Sequence, residues 1–101
     1  MGRTDSPLTR ADVPDKFALK QNYLNPFNPS TTIEFQIPNS QFVSLKIYNI
    51  LGEKVATLIS KKLKAGSHTV RFNAAHLASG VYLYRLTAGR FILTKKLVVI
   101  R

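Results

Sequence analysis

From Thr31 to Ile37 every second residue is apolar: Ile33, Phe35 and Ile37 fall to one side, and Thr32, Glu34 and Gln36 to the other. Successive side chains of a strand point to opposite faces, so a period of two buries one side only as a pleated strand. The pattern returns along the chain. Val43, Leu45 and Ile47 alternate with Ser44, Lys46 and Tyr48; Val70 and Phe72 flank Arg71; Tyr82, Tyr84 and Leu86 share a side with Arg85 opposite. No stretch holds a helical period long enough for a long helix.

Turn-forming residues punctuate these runs. Pro38-Asn39-Ser40 ends one strand, and Asn49-Ile50-Leu51-Gly52 makes a tight connection in which Gly52 can take a positive φ. Lys54 to Ser60 is a strand whose Val55 and Leu58 have opposite parity, as a bulge or a switch of face would produce. Lys61 to Gly66 reads as a basic turn. Asn73 to Ala78 reads as a connection with one helical turn anchored by Leu77. Ala88-Gly89-Arg90 closes a hairpin onto a last strand from Phe91 to Ile100. Upstream, Phe17, Leu19 and Gln21 alternate as in a short edge strand. Pro26 and Pro29 forbid regular pairing in Asn25-Pro26-Phe27-Asn28-Pro29-Ser30, where Phe27 is expected to plug one end of the core. About seven short strands with turn signals every 8–12 residues predict an all-β antiparallel sandwich over residues 17–101, preceded by a polar linker over 1–16.

The 101 residues fit one domain. No apolar run approaches the roughly 20 residues that cross a bilayer. Met1 to Lys20 lacks the apolar block of a signal peptide, so the export signal of a larger parent would lie upstream. The absence of cysteine removes disulfides, thiol nucleophiles and cysteine-based zinc sites.

Catalytic constellations are hard to assemble. Glu34 and Glu53, the acids of the folded part, sit in different segments, and His68 and His76 have no third ligand nearby in sequence. No glycine-rich phosphate loop is present. The expectation is a non-enzyme without metal or cofactor.

Charge is distributed unevenly. Residues 41–101 carry eleven basic groups and one acid, so the net charge of +10 resides there. Such a body is drawn to anionic partners: nucleic acid, lipopolysaccharide, acidic polysaccharide or an acidic receptor groove. Nucleic acid is disfavoured, because no recognition motif is visible and Tyr48 is the one tyrosine expected to face outward between basic neighbours. Lys61, Lys62 and Lys64 fit a solvated loop, and Lys95 and Lys96 fit edge protection.

Four blocks, in order, carry a resemblance. Gln21-Asn-Tyr-Leu-Asn-Pro-Phe-Asn-Pro-Ser-Thr-Thr-Ile33 resembles the opening signature of the type A C-terminal sorting domains of the type IX secretion system. Val43-x-Leu-x-Ile-Tyr-Asn-x-x-Gly52 is similar to the second block. Leu77-x-Ser-Gly-Val-Tyr82 and Gly89-x5-Lys-Lys96 look like the later ones. Leu24 stands where the family usually has proline.

The resemblance implies an Ig-like β-sandwich that ends a larger cargo protein. That protein reaches the periplasm by an ordinary signal peptide. An outer-membrane translocon then recognises the domain, a sortase-like protease removes it, and the cargo is released or joined to anionic lipopolysaccharide. The product is secreted or held at the cell surface.

On this reading Asn25, Pro26, Phe27, Asn28, Pro29 and Gly52 form the structural signature. Gly80, Tyr82, Gly89, Lys95 and Lys96 are the candidate recognition residues. Gly80 would place Tyr82, and Gly89 would close the hairpin that presents the two lysines. The exposed last strand could then add to a receptor sheet. Cleavage is expected between Asp5 and Asp15. The alternatives are a carbohydrate-binding module or a structural Ig-like module, as in flagellar hook-cap proteins.

Overall fold

A computed structural model describes residues 16–25 and 29–100. The chain forms seven strands in order: β1 (Ala18–Leu19), β2 (Ser30–Ile37), β3 (Gln41–Asn49), β4 (Lys54–Leu63), β5 (Gly66–Asn73), β6 (Gly80–Ala88) and β7 (Phe91–Val99). There is no helix among the described residues. One sheet has the order β1-β2-β5 and the other β4-β3-β6-β7, and every pairing is antiparallel. Lettered A to G, these are the sheets ABE and DCFG. The sandwich is immunoglobulin-like, with the fourth strand on the sheet opposite to the one it joins in constant-type domains.

The period-two residues form the core. Ile33, Phe35 and Ile37 from β2, Val43, Leu45 and Ile47 from β3, and Tyr84, Leu86 and Leu97 from β6 and β7 are all shut off from solvent. The two inner faces meet as packed sheets do, and the polar alternates remain outside.

β4 explains its irregular pattern. Its pairing with β3 breaks twice: Leu45 opposes Ile59 and Lys46 opposes Thr57, leaving Leu58 extra; Ile47 opposes Ala56 and Tyr48 opposes Lys54, leaving Val55 extra. Each break shifts the parity by one, so Val55 and Leu58 both pack against the core.

The basic segment differs from the expectation. Lys61, Lys62 and Leu63 continue β4, opposite Val43, Phe42 and Gln41, and the connection shrinks to Lys64-Ala65. The reason is pairing. An edge strand needs one partner only, and its lysines can point into solvent while the backbone stays in the ladder.

The turns behave as their residues dictate. Asn49 Oδ1 accepts hydrogen bonds from the amides of Leu51 (2.9 Å) and Glu53 (3.0 Å), and the Gly52 amide bonds the Asn49 carbonyl at 3.0 Å. Gly52 has φ +86°. Between β5 and β6 the Leu77 amide bonds the Ala74 carbonyl at 2.9 Å, a single turn with half-buried Leu77 against the core.

Candidate functional site

The closing hairpin, β6 and β7, is joined by the two-residue loop Gly89-Arg90. Gly89 has φ +60°, and a Cβ there would lie 3.3 Å from Gln41 Oε1. Both the torsion and the neighbour favour glycine at this position. At the other end of β6, Gly80 has φ +153°, a region that side chains rarely enter. It starts the strand so that Tyr82 turns inward, 9 % exposed, and its hydroxyl donates to the Ala78 carbonyl at 2.8 Å. A tyrosine near the start of the sixth strand bonded to backbone just upstream is the tyrosine corner of such sandwiches. Gly80 and Tyr82 therefore have a sufficient structural role.

The structure separates the two lysines. Lys95 opposes Tyr84 and shares its inner side, half-buried between the sheets; Lys96 opposes Leu83 and is exposed on the outer face. Their ammonium groups leave the strand on opposite sides. Of the five candidates, Gly89 and Lys96 are exposed, Gly80 and Lys95 half-buried and Tyr82 buried.

β7 is the edge of its sheet, and its outer side is partly covered. The Gln21 side-chain amide donates to the Lys96 carbonyl at 2.7 Å, and the Val98 amide donates to Asn25 Oδ1 at 3.0 Å. Two side chains from the opening signature thus occupy edge groups that a strand would otherwise take. Behind them lies a buried polar knot. The Tyr84 hydroxyl accepts from the Asn22 amide at 2.8 Å and donates to the Lys20 carbonyl at 2.7 Å. Asn22, 3 % exposed, donates its side-chain amide to the Leu24 carbonyl and to Thr31 Oγ1, each at 2.9 Å. Burial pushes the Tyr84 phenol up to about 12, partly offset by the hydrogen bond from the Asn22 backbone. Phe17 stacks on Phe91 with centroids 4.2 Å apart, pinning the start of β7.

Sequence reasoning missed Gln21 and Asn22, and it gave Asn25 only a turn. The Gln21 and Asn25 side chains bond backbone more than sixty residues away, and the Asn22 backbone amide bonds Tyr84 at a similar separation, which leaves no local pattern. The single available signal was the density of amide side chains next to two prolines. Pro26, Phe27 and Asn28 lie outside the described residues, as do 1–15 and Arg101, so the Phe27 plug, most of the linker and the cleavage region lie there too. Pro29 is exposed, and its carbonyl accepts from the Ala74 amide at 2.8 Å, tying the signature to the end of β5.

No group of three metal-ligating side chains occurs among the described residues. The half-buried His68 ring lies 5.4 Å from that of Phe35 and bonds the Lys64 carbonyl at 2.8 Å. Glu34 pairs with Lys20 at 3.3 Å, and Glu53 accepts from Asn49 at 2.8 Å. A depression of about 200 Å³ lies between Tyr23, Leu24, Ser30, Thr31, Thr32 and Arg71. Among the described residues its lining includes no carboxylate or imidazole.

No curated protein matches the chain. A family model described as "Secretion system C-terminal sorting domain" matches residues 22–100, a span that begins within the polar knot and ends just past β7. With that match over most of its length and with this sandwich, the chain belongs to the family of type IX secretion C-terminal sorting domains.

Proposed function

We propose that the domain is a folded address. The type IX translocon reads it on a cargo protein arriving from the periplasm, the cargo crosses the outer membrane, and a sortase-like protease cuts between the domain and its cargo. The cargo then leaves the cell or is joined to anionic lipopolysaccharide at the surface. The observation that carries this reading is the family match over residues 22–100. Membership supports a sorting signal that works with the secretion machinery on an attached cargo. The domain itself contributes no catalysis in this scheme.

The closing hairpin is the part we assign to recognition. It is a regular, exposed edge hairpin with a glycine-closed tip, and Lys96 projects from its outer face. Ahead of the Gln21 contact the β7 edge is hydrogen-bonded to no strand among the described residues, although β1 packs near it, and we assign it the capacity to accept one, with Lys96 setting orientation. Gly80 and Tyr82 hold β6 in place, and Lys95 guards the margin between the sheets.

The test is export of a periplasmic reporter carrying residues 17–101 in a host with this secretion system. The fusion should appear outside the cell. Removing Leu93 to Arg101 should trap it in the periplasm, and Lys96→Glu, which leaves the core intact, should slow export while the domain stays folded. Export that proceeds equally without the last strand would refute the reading.

A further inference from the structure

The outer face of the four-stranded sheet places like charges side by side. Lys46 in β3 directly opposes Arg85 in β6, and the next row holds Lys54, Tyr48, Leu83 and Lys96 across all four strands. Like charges directly opposite each other in a sheet destabilise it. No counter-charge relieves them among the described residues: Glu34 is on the other sheet against Lys20, and Glu53 is in the β3–β4 turn against Asn49. Arg85 lies over the Tyr48 ring at 4.8 Å.

Apolar groups flank this band on both sides. Toward the β6–β7 loop stand Phe42 and Ile92, each 59 % exposed; at the far end Val81, 40 % exposed, opposes Val98. A cationic band with a tyrosine–arginine centre and apolar shoulders has the composition of a protein interface, where tyrosine and arginine dominate binding. Nucleic acid or an acidic polysaccharide carries charge along its length and would leave the shoulders uncovered. One face of the Tyr48 ring, moreover, is occupied by Arg85 and cannot stack on a base.

We infer that this face docks a polypeptide surface in which a row of carboxylates is bordered by apolar side chains. The carboxylates meet Lys46, Lys54, Arg85 and Lys96, and the borders cover Phe42, Ile92 and Val81. The inference concerns the sheet face and holds whether or not the β7 edge is the export signal.

The experiment measures binding of the purified chain to four probes: a peptide in which a run of glutamates is flanked on both sides by valines, polyglutamate of equal charge, a sulfated polysaccharide, and duplex DNA. Amide chemical shifts map the contact. The valine-flanked peptide should bind best, with shifts centred on Lys46, Arg85 and Lys96. The double variant Lys46→Gln/Arg85→Gln should weaken it about tenfold, whereas Lys64→Gln/Arg71→Gln, with the same loss of charge, should change it little. Lys46→Glu should raise the melting temperature, by giving Arg85 a partner, while it weakens binding. Equal loss in the two double variants, or binding of polyglutamate, polysaccharide or DNA as tight as that of the valine-flanked peptide, would overturn the proposal. Since binding is read on the isolated domain, a negative result leaves the export test unaffected.

Discussion

At one edge of the four-stranded sheet, β4 is interrupted by the extra residues Leu58 and Val55; at the other, β7 keeps unbroken register with β6 from Gly80↔Val99 to Ala88↔Phe91. Both edges carry a lysine on the inner side, Lys61 opposite Val43 and Lys95 opposite Tyr84, a known defence against unwanted pairing. They differ in the rest. Bulges twist β4 away from any template, so its protection is part of its backbone. β7 is regular and is protected by side chains from elsewhere, Gln21 and Asn25, over its second half. One edge is irregular in its own backbone, and the other is regular and covered by side chains of a distant segment.

The comparison can be broken most forcefully in the core. Leu97 of β7 is fully buried, so Leu97→Ala should cost about 2–5 kcal/mol. Leu58, half-buried at a bulge, should cost about 1 kcal/mol on the same change. Urea unfolding of both variants measures the difference; equal losses would mean that β7 is no better anchored than β4.

Next in size is Tyr84→Phe, which strips the Asn22 amide and the Lys20 carbonyl of their buried partner and should cost about 1–3 kcal/mol. The phenol is held above its ordinary value of 10, at about 12, so the folded state binds its proton more tightly than the unfolded state. Its contribution is complete below pH 10 and is lost as pH rises toward about 12. Stability followed through this alkaline range should fall more steeply in the parent than in Tyr84→Phe.

A smaller effect is expected from Gln21→Ala/Asn25→Ala. Loss of the two hydrogen bonds at the edge and of the one from Gln21 to Asn22 Oδ1 should cost about 1–2 kcal/mol in total. The sharper readout is hydrogen exchange. The Val98 amide, bonded to Asn25, should exchange faster while amides of β4 are unchanged. Smallest of all is Lys61→Thr/Lys62→Thr, which should leave the melting temperature within error. If bulges alone protect β4, this variant keeps the parent's mass in light scattering; if the lysines matter, its mass rises with concentration above the parent's.

The fold was legible wherever one face of a strand is buried. The alternation at Ile33, Phe35 and Ile37, and again at Val43, Leu45 and Ile47, fixes face and register together, because a slip of one residue would expose every apolar group. Even the β4 irregularity showed in the conflicting parity of Val55 and Leu58. The end of β4 was not legible, since Lys61 and Lys62 on an exposed edge have the composition of a loop. The site was legible in part. Gly89 announced the hairpin, and the Gly80–Tyr82 pair marked a place that the structure explains as a corner of the fold. The opposite exits of Lys95 and Lys96 follow from strand geometry. The covering of β7 by Gln21 and Asn25 does not, because it depends on where two distant segments meet.

The bonds from Lys20, Gln21, Asn22 and Asn25 to Tyr84, Lys96 and Val98 span more than sixty residues of intervening chain. The bonds to Tyr84 need β6, and those to Lys96 and Val98 need β7 as well, so the full set forms only once both strands have been laid down. A chain halted during synthesis before Phe91 would already hold Tyr84 but would lack the Lys96 carbonyl and the Val98 amide that Gln21 and Asn25 bond. The finished clasp therefore certifies that the whole domain has been made, and a receptor that responds only to the clasped form would pass over incomplete chains without any separate inspection.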